Sequence, residues 1–171
     1  LKLEVVDPAV AANPAQVRAM LAEVEKRRPD LVGFFACLYF AAMRPAEAVV
    51  LTKTRCHLPM TGWGKLDLSS TATRAGRAWT DSGSAHDVRG LKHRASGDVR
   101  SVPIPPELVR LLRKHVENHG TTADGRLFRG TRTEGYLSES TYGPIWKQSR
   151  SAALSEQQAA SKLAERPYDL R

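Results

Sequence analysis

The chain has 171 residues, 42% of them apolar, and a formal charge of +8; that is enough apolar content for one domain with a packed core, and too little length for two. The charge asks for an anionic partner, and nucleic acid is the expected one, because clustered lysines and arginines attract a polyanion and release its counterions. Two cysteines, Cys37 and Cys56, lack the spacing of a disulfide framework or a zinc site and are expected as reduced thiols, while the longest apolar run, 31–43, falls short of the roughly 20 residues of a membrane span, and no leader opens the chain, so the expected location is cytoplasmic.

In chain order, Asn13-Pro14 is a helix start: Asn caps free amides and Pro tolerates the first helical position. Val17, Met20, Leu21 and Val24 then recur at helical spacing, which predicts a helix over 14–28. The segment 31–43 is apolar on nearly every side, as a helix buried mid-domain must be. Arg44 precedes Pro45, whose ring pushes it out of helical geometry, so Arg44 sits in an elbow ahead of a third helix over 45–51, with Glu47 near its N-terminus.

Short strand-like stretches follow in a sheet region over 62–104. Alternation predicts a strand at 63–68, and 91–95 and 99–104 flank Ser96-Gly97-Asp98, a hairpin turn. Between them, 69–90 is rich in Gly, Ser, Thr, Arg and Asp and reads as a mobile loop that orders on DNA. Pro105-Pro106-Glu107 restarts helix over 106–119, with Leu108, Leu111, Leu112, His115 and Val116 on one face and Gly120 as its stop. Further helix is expected over 138–165: Ser138 caps a stretch carrying Tyr142, Ile145 and Trp146, which Pro144 would kink or delay, and Ser155 to Gln158 fits a capping box. No repeat or linker marks a second domain.

Three separated stretches carry chemistry. Met43-Arg44-Pro45-Ala46-Glu47-Ala48-Val49-Val50-Leu51 places an arginine after a buried helix, a glutamate three residues on and a leucine four beyond. Leu91-Lys92-His93-Arg94 leads through the hairpin into Arg100-Ser101-Val102-Pro103-Ile104. The chain closes on Arg166-Pro167-Tyr168-Asp169-Leu170-Arg171. In this order the stretches resemble the first-arginine box, the lysine-bearing strand pair and the second-arginine box of the tyrosine recombinases, the phage-integrase family.

The resemblance implies an α+β, mainly helical catalytic domain, with helices around a small three-stranded antiparallel sheet. It also implies site-specific DNA recombination or integration through a phosphotyrosine intermediate. Arg44 and Arg171 would hold the scissile phosphate, since guanidinium stays ionised and grips two oxygens at once. Lys92 would protonate the leaving 5′ oxygen, with His93 as rival donor and Glu47 in a supporting place. Tyr168 stands where the family usually has histidine; a phenol donates a hydrogen bond but does not act as an imidazole. The family's nucleophile lies a few dozen residues after the second arginine. None of Tyr39, Tyr136, Tyr142 and Tyr168 matches it, so the chain as it stands is expected to bind DNA weakly without cleaving it, and to lack the core-binding domain.

Lys65, Arg74, Arg77, Arg89, Arg94, Arg100, Lys147 and Arg150 are expected DNA-backbone contacts. No metal or cofactor is implied. Double-stranded DNA is the expected partner, with self-association on DNA for the full-length protein. Two rival readings stand beside this one: a non-catalytic DNA-binding remnant of an integrase, and an unrelated enzyme holding a small phosphorylated substrate between two arginines.

Overall fold

The computed structural model describes residues 10–74, 86–90, 99–130 and 135–170. Helix α1 (Pro14–Arg27) opens on the expected signal: the Asn13 side chain accepts from the Gln16 amide and the Gln16 side chain accepts from the Asn13 amide, a reciprocal cap. Its face of Val17, Met20, Leu21 and Val24 is fully buried or nearly so. A 3-10 turn, Pro29–Leu31, leads into α2 (Val32–Phe40), in which Phe34, Phe35, Ala36, Cys37 and Leu38 are wholly inaccessible. A helix without a solvent face belongs at the centre, and α1 and α4 both pack on α2.

Helix α2 stops earlier than the run of apolar residues suggests. Ala42 takes a left-handed backbone, φ 48°, and the Ala41 and Met43 amides both reach the Cys37 carbonyl. Hydrophobicity alone cannot report this reversal. The next helix, α3 (Pro45–Ala48), is likewise shorter than 45–51: Val49 closes it, and Leu51 bonds back to the Ala48 carbonyl.

Strand β1 (Cys56–His57) pairs antiparallel with β2 (Gly64–Leu68), which pairs antiparallel with β5 (Arg100–Ile104), giving a three-stranded sheet in the order β1-β2-β5. In β2 the alternation is physical: Gly64, Leu66 and Leu68 face the core, and Lys65 faces solvent. Pro103 of β5 stands opposite Lys65 of β2. The first residues of the predicted hairpin, 91–95, and its turn at Ser96-Gly97-Asp98 lie outside the described residues.

The expectation of a loop over 69–90 is corrected at both ends. Strands β3 (Ser70–Arg74) and β4 (His86–Gly90) form a two-stranded antiparallel pair, from Ser70 opposite Gly90 to Arg74 opposite His86. A polar two-stranded ribbon has little apolar alternation to betray it, and its threonines read equally well as loop. Strand β3 packs beside α3.

Helix α4 (Pro106–His119) presents Leu108, Val109, Leu112 and His115 to the core, and Gly120 with φ 65° ends it. The predicted helix over 138–165 is two helices, α5 (Glu139–Ala153) and α6 (Glu156–Ala160), separated at Leu154-Ser155. Pro144 does not delay α5: it lies inside the helix, at the sixth position, where its missing N–H leaves the Ser140 carbonyl without its intrahelical donor. Ser155 and Gln158 form the expected capping box. Tyr142 and Trp146 of α5 stack at tilted angles on Phe34 and Phe35, with ring centroids 4.8 and 4.9 Å apart.

Candidate functional site

The elbow between α2 and α3 is built by local chemistry. Arg44 is the N-cap of α3 with an extended backbone, φ −77° and ψ 149°, as a residue before proline requires. Its amide donates to Glu47 Oε2 at 2.8 Å, so the carboxylate at the third helical position folds back on the helix start. The Arg44 residue is exposed, and no described residue hydrogen-bonds to its guanidinium or pairs with it.

Glu47 is only 8% exposed. The same Oε2 that accepts the Arg44 amide also accepts Arg100 Nη2 at 3.2 Å, across 53 residues of sequence. Arg100 opens β5, opposite Leu68 of β2. The carboxylate therefore ties the elbow to the end of the sheet, and Arg100 is committed to it. Sequence reasoning named both residues and assigned Arg100 to DNA; their pairing has no signal in sequence, because it depends on how β5 is placed.

The other expected positions separate clearly. Lys65 is exposed on β2 and pairs with Asp67 at 3.2 Å. Lys147 is exposed on α5. Arg74 and Arg89 lie on the β3–β4 ribbon, opposite His86 and Thr71 respectively. Arg150 is corrected: it is buried, and its guanidinium donates to the carbonyls of Leu163, Ala159, Gln158 and Ser161 at 2.6 to 3.2 Å. These bonds clamp α6 and the chain just after it onto α5 and leave no face for a phosphate.

Tyr168 falls in a 3-10 turn, Pro167–Leu170, that packs against α2, the helix leading into Arg44. Leu170 is buried there, and the turn is started by the Arg166 amide donating to Asp169 Oδ2 at 2.8 Å. Lys92, His93, Arg94, Arg77 and Arg171 lie outside the described residues. Of the other tyrosines, Tyr142 is buried in the aromatic cluster, and that burial pushes its phenol up to about 12; Tyr39 meets Phe40 edge to face, and Tyr136 lies under the Arg126 guanidinium, 4.2 Å from its ring centroid. Among the described residues no group of three or more His, Cys, Asp or Glu is placed to hold a metal ion, and no helix is long and apolar enough to cross a membrane.

No family model and no curated protein matches the chain. Solved structures do. The integrase of the Tn1549 transposon, in complex with transposon right end DNA, is 16% identical with a TM-score of 0.69 over 99% of this chain and 52% of that one. XerA recombinase is 15% identical with a TM-score of 0.56 over 99% of this chain and 48% of its own. XerH site-specific recombinase, bound to its difH substrate, is 13% identical with a TM-score of 0.58, covering 94% of this chain and 40% of that one. The chain thus spans about half the length of these proteins or less. With a buried central helix, an arginine elbow, a three-stranded antiparallel sheet and these structural counterparts, the fold of the chain is that of a tyrosine recombinase catalytic domain.

Proposed function

We propose that the chain is the phosphate-binding part of a DNA strand-breaking and rejoining enzyme, a site-specific recombinase or integrase of the tyrosine class. The observation that carries the reading is the Arg44 elbow: a guanidinium exposed and unpaired among the described residues, on a backbone held by a buried carboxylate. The backbone that carries the group is fixed before the anion arrives, and the guanidinium, uncommitted among the described residues, is open to phosphate oxygens on which charge builds. The net charge of +8 supports a polyanionic partner, duplex DNA.

In the reaction, a tyrosine oxygen attacks the scissile phosphorus, the bond from phosphorus to the 5′ oxygen breaks, and the DNA end is left as a phosphotyrosine ester. Arg44 and Arg171 hold the nonbridging oxygens through the transition state. The leaving oxygen takes its proton from the Lys92 ammonium. Tyr168 donates a hydrogen bond from the place where the family usually has histidine. The nucleophile is none of the four tyrosines of this chain. Lys65, Arg74, Arg77, Arg89, Arg94 and Lys147 position the DNA backbone, and the full-length protein self-associates on it.

The test is a nicked duplex that traps the cleaved strand, offered to the full-length protein. A covalent protein–DNA adduct is expected from the wild type. Arg44→Ala should lower its yield by on the order of 100-fold or more without loss of fold, in line with removal of one preorganised donor. Lys92→Ala should slow cleavage of ordinary DNA but not of a 5′-phosphorothiolate, whose leaving group needs no proton. No adduct from the wild type, or full cleavage by Arg44→Ala, overturns the reading.

A further inference from the structure

Arg44 and Glu47 lie three residues apart at one elbow, Arg44 at the N-cap of α3 and Glu47 at its third position, close enough in sequence for a guanidinium and a carboxylate to meet. They do not pair here. Glu47 uses one oxygen, Oε2, for two donors, the Arg44 amide at 2.8 Å and Arg100 Nη2 at 3.2 Å. A carboxylate this buried is poorly screened and needs a cation beside it. Arg100 supplies that cation from the end of β5, with its own side chain 33% exposed. Glu47 is thus paired with the Arg100 guanidinium and bonded to the backbone of Arg44, and the Arg44 guanidinium is left without a carboxylate partner among the described residues.

We propose that Arg100 is a positioning residue for Arg44: by satisfying Glu47, it keeps the Arg44 guanidinium uncommitted and open to a phosphate oxyanion. The proposal rests on the recombinase reading in assigning Arg44 to the scissile phosphate. The charge arrangement itself rests only on the three side chains. Without a cation at position 100, the Glu47 carboxylate becomes the strongest nearby acceptor for Arg44, and the phosphate must compete with it. Removing the negative charge of Glu47 as well ends that competition, while an amide oxygen at the same place still accepts the Arg44 amide.

Arg100→Gln removes the charge yet keeps a hydrogen-bond donor toward Glu47, so it leaves the tie between elbow and sheet in place. Adduct formation by the full-length protein, measured at saturating DNA, should fall by on the order of tenfold in Arg100→Gln. It should be largely kept in Arg100→Lys. In the double variant E47Q/R100Q it should rise again toward the rate of Glu47→Gln alone. DNA affinity and its salt dependence should change little in Arg100→Gln. In parallel, solvent exchange of the Arg44 Nε–H, followed by nuclear magnetic resonance on the DNA-free protein, should slow in Arg100→Gln and recover in the double variant.

A double variant as slow as Arg100→Gln, or an Arg100→Gln defect that lies in DNA affinity with a reduced salt slope, would place Arg100 on the DNA and overturn the proposal. Unchanged exchange of the Arg44 Nε–H in Arg100→Gln would also overturn it. If the wild type forms no adduct at all, the recombinase reading fails, and the exchange measurement still decides whether Arg100 holds Glu47 away from Arg44.

Discussion

His115 shows how one residue can satisfy a sequence pattern and still carry an unannounced chemistry. It occupies a core position of α4, as its spacing predicts, and is 5% exposed. Nε2 lies 2.8 Å from the Leu127 carbonyl, so the imidazole donates there, and buried Nδ1 has no hydrogen-bond partner. Burial holds its pKa below the ordinary value of 6.5, helped by nearby His119 and Arg129 and opposed by the Leu127 bond and Asp30. The native form then binds fewer protons than the unfolded chain between that depressed value and about 6.5, so stability rises with pH through this window. Its contribution is complete above about 6.5 and is lost as pH falls. The melting temperature should therefore drop between pH 7 and pH 5, and by less in His115→Gln; equal drops in the two proteins would remove His115 as a cause. Periodicity could place the imidazole in the core, but its unpartnered nitrogen depends on the segment around Leu127 and Phe128, 12 residues and more away.

Elements were legible where their ends are coded locally and opaque where a neighbour decides them. The Asn13 and Ser155 caps, the buried face of α1 and the Arg44-Pro45 elbow all follow from residues within about two turns of each other. Gly64 does not. It begins β2 opposite Ile104, and a Cβ added there would stand 2.6 Å from the His57 carbonyl and 2.7 Å from Val109 Cγ2. The sheet thus comes against α4 at a point where only a hydrogen fits. Gly64→Ala should cost about 1–3 kcal/mol by overpacking, since one of the obstructing atoms is backbone. Thermal melting checks this: a fall of about 2–4 °C per kcal/mol is expected for a chain of this size, and an unchanged midpoint would mean that β1 yields freely. The β3–β4 ribbon escaped the sequence for a related reason. Its pairing is between two polar strands, and what it packs against is α3, not an apolar stripe of its own.

At the scale of the whole molecule, the charge of +8 does not say which cations face outward. Lys147 and Arg150 are three residues apart on α5 and looked alike in sequence, yet one is exposed and the other is spent on four carbonyls. Lys147→Ala should weaken binding to duplex DNA modestly and reduce the salt slope by about one, with the melting temperature unchanged. Arg150→Ala should do the reverse, costing about 3 kcal/mol of stability as buried acceptors lose a charged donor; a variant that melts like the wild type would show that the clamp contributes little. The same clamp, with Trp146 Nε1 donating to the Ala164 carbonyl at 2.9 Å, fixes the path of the chain toward the Pro167–Leu170 turn.

Because that turn rests on α2, and α2 also runs into Arg44, one apolar rod is the common datum for two stretches of sequence more than a hundred residues apart. A change of shape among Phe34, Phe35 and Leu38 would shift both stretches relative to each other while touching neither. On the proposed function, such core substitutions would be scored beside Arg44 itself in a screen for loss of DNA strand cleavage, and only a thermal melt would tell a bent ruler from a missing hand.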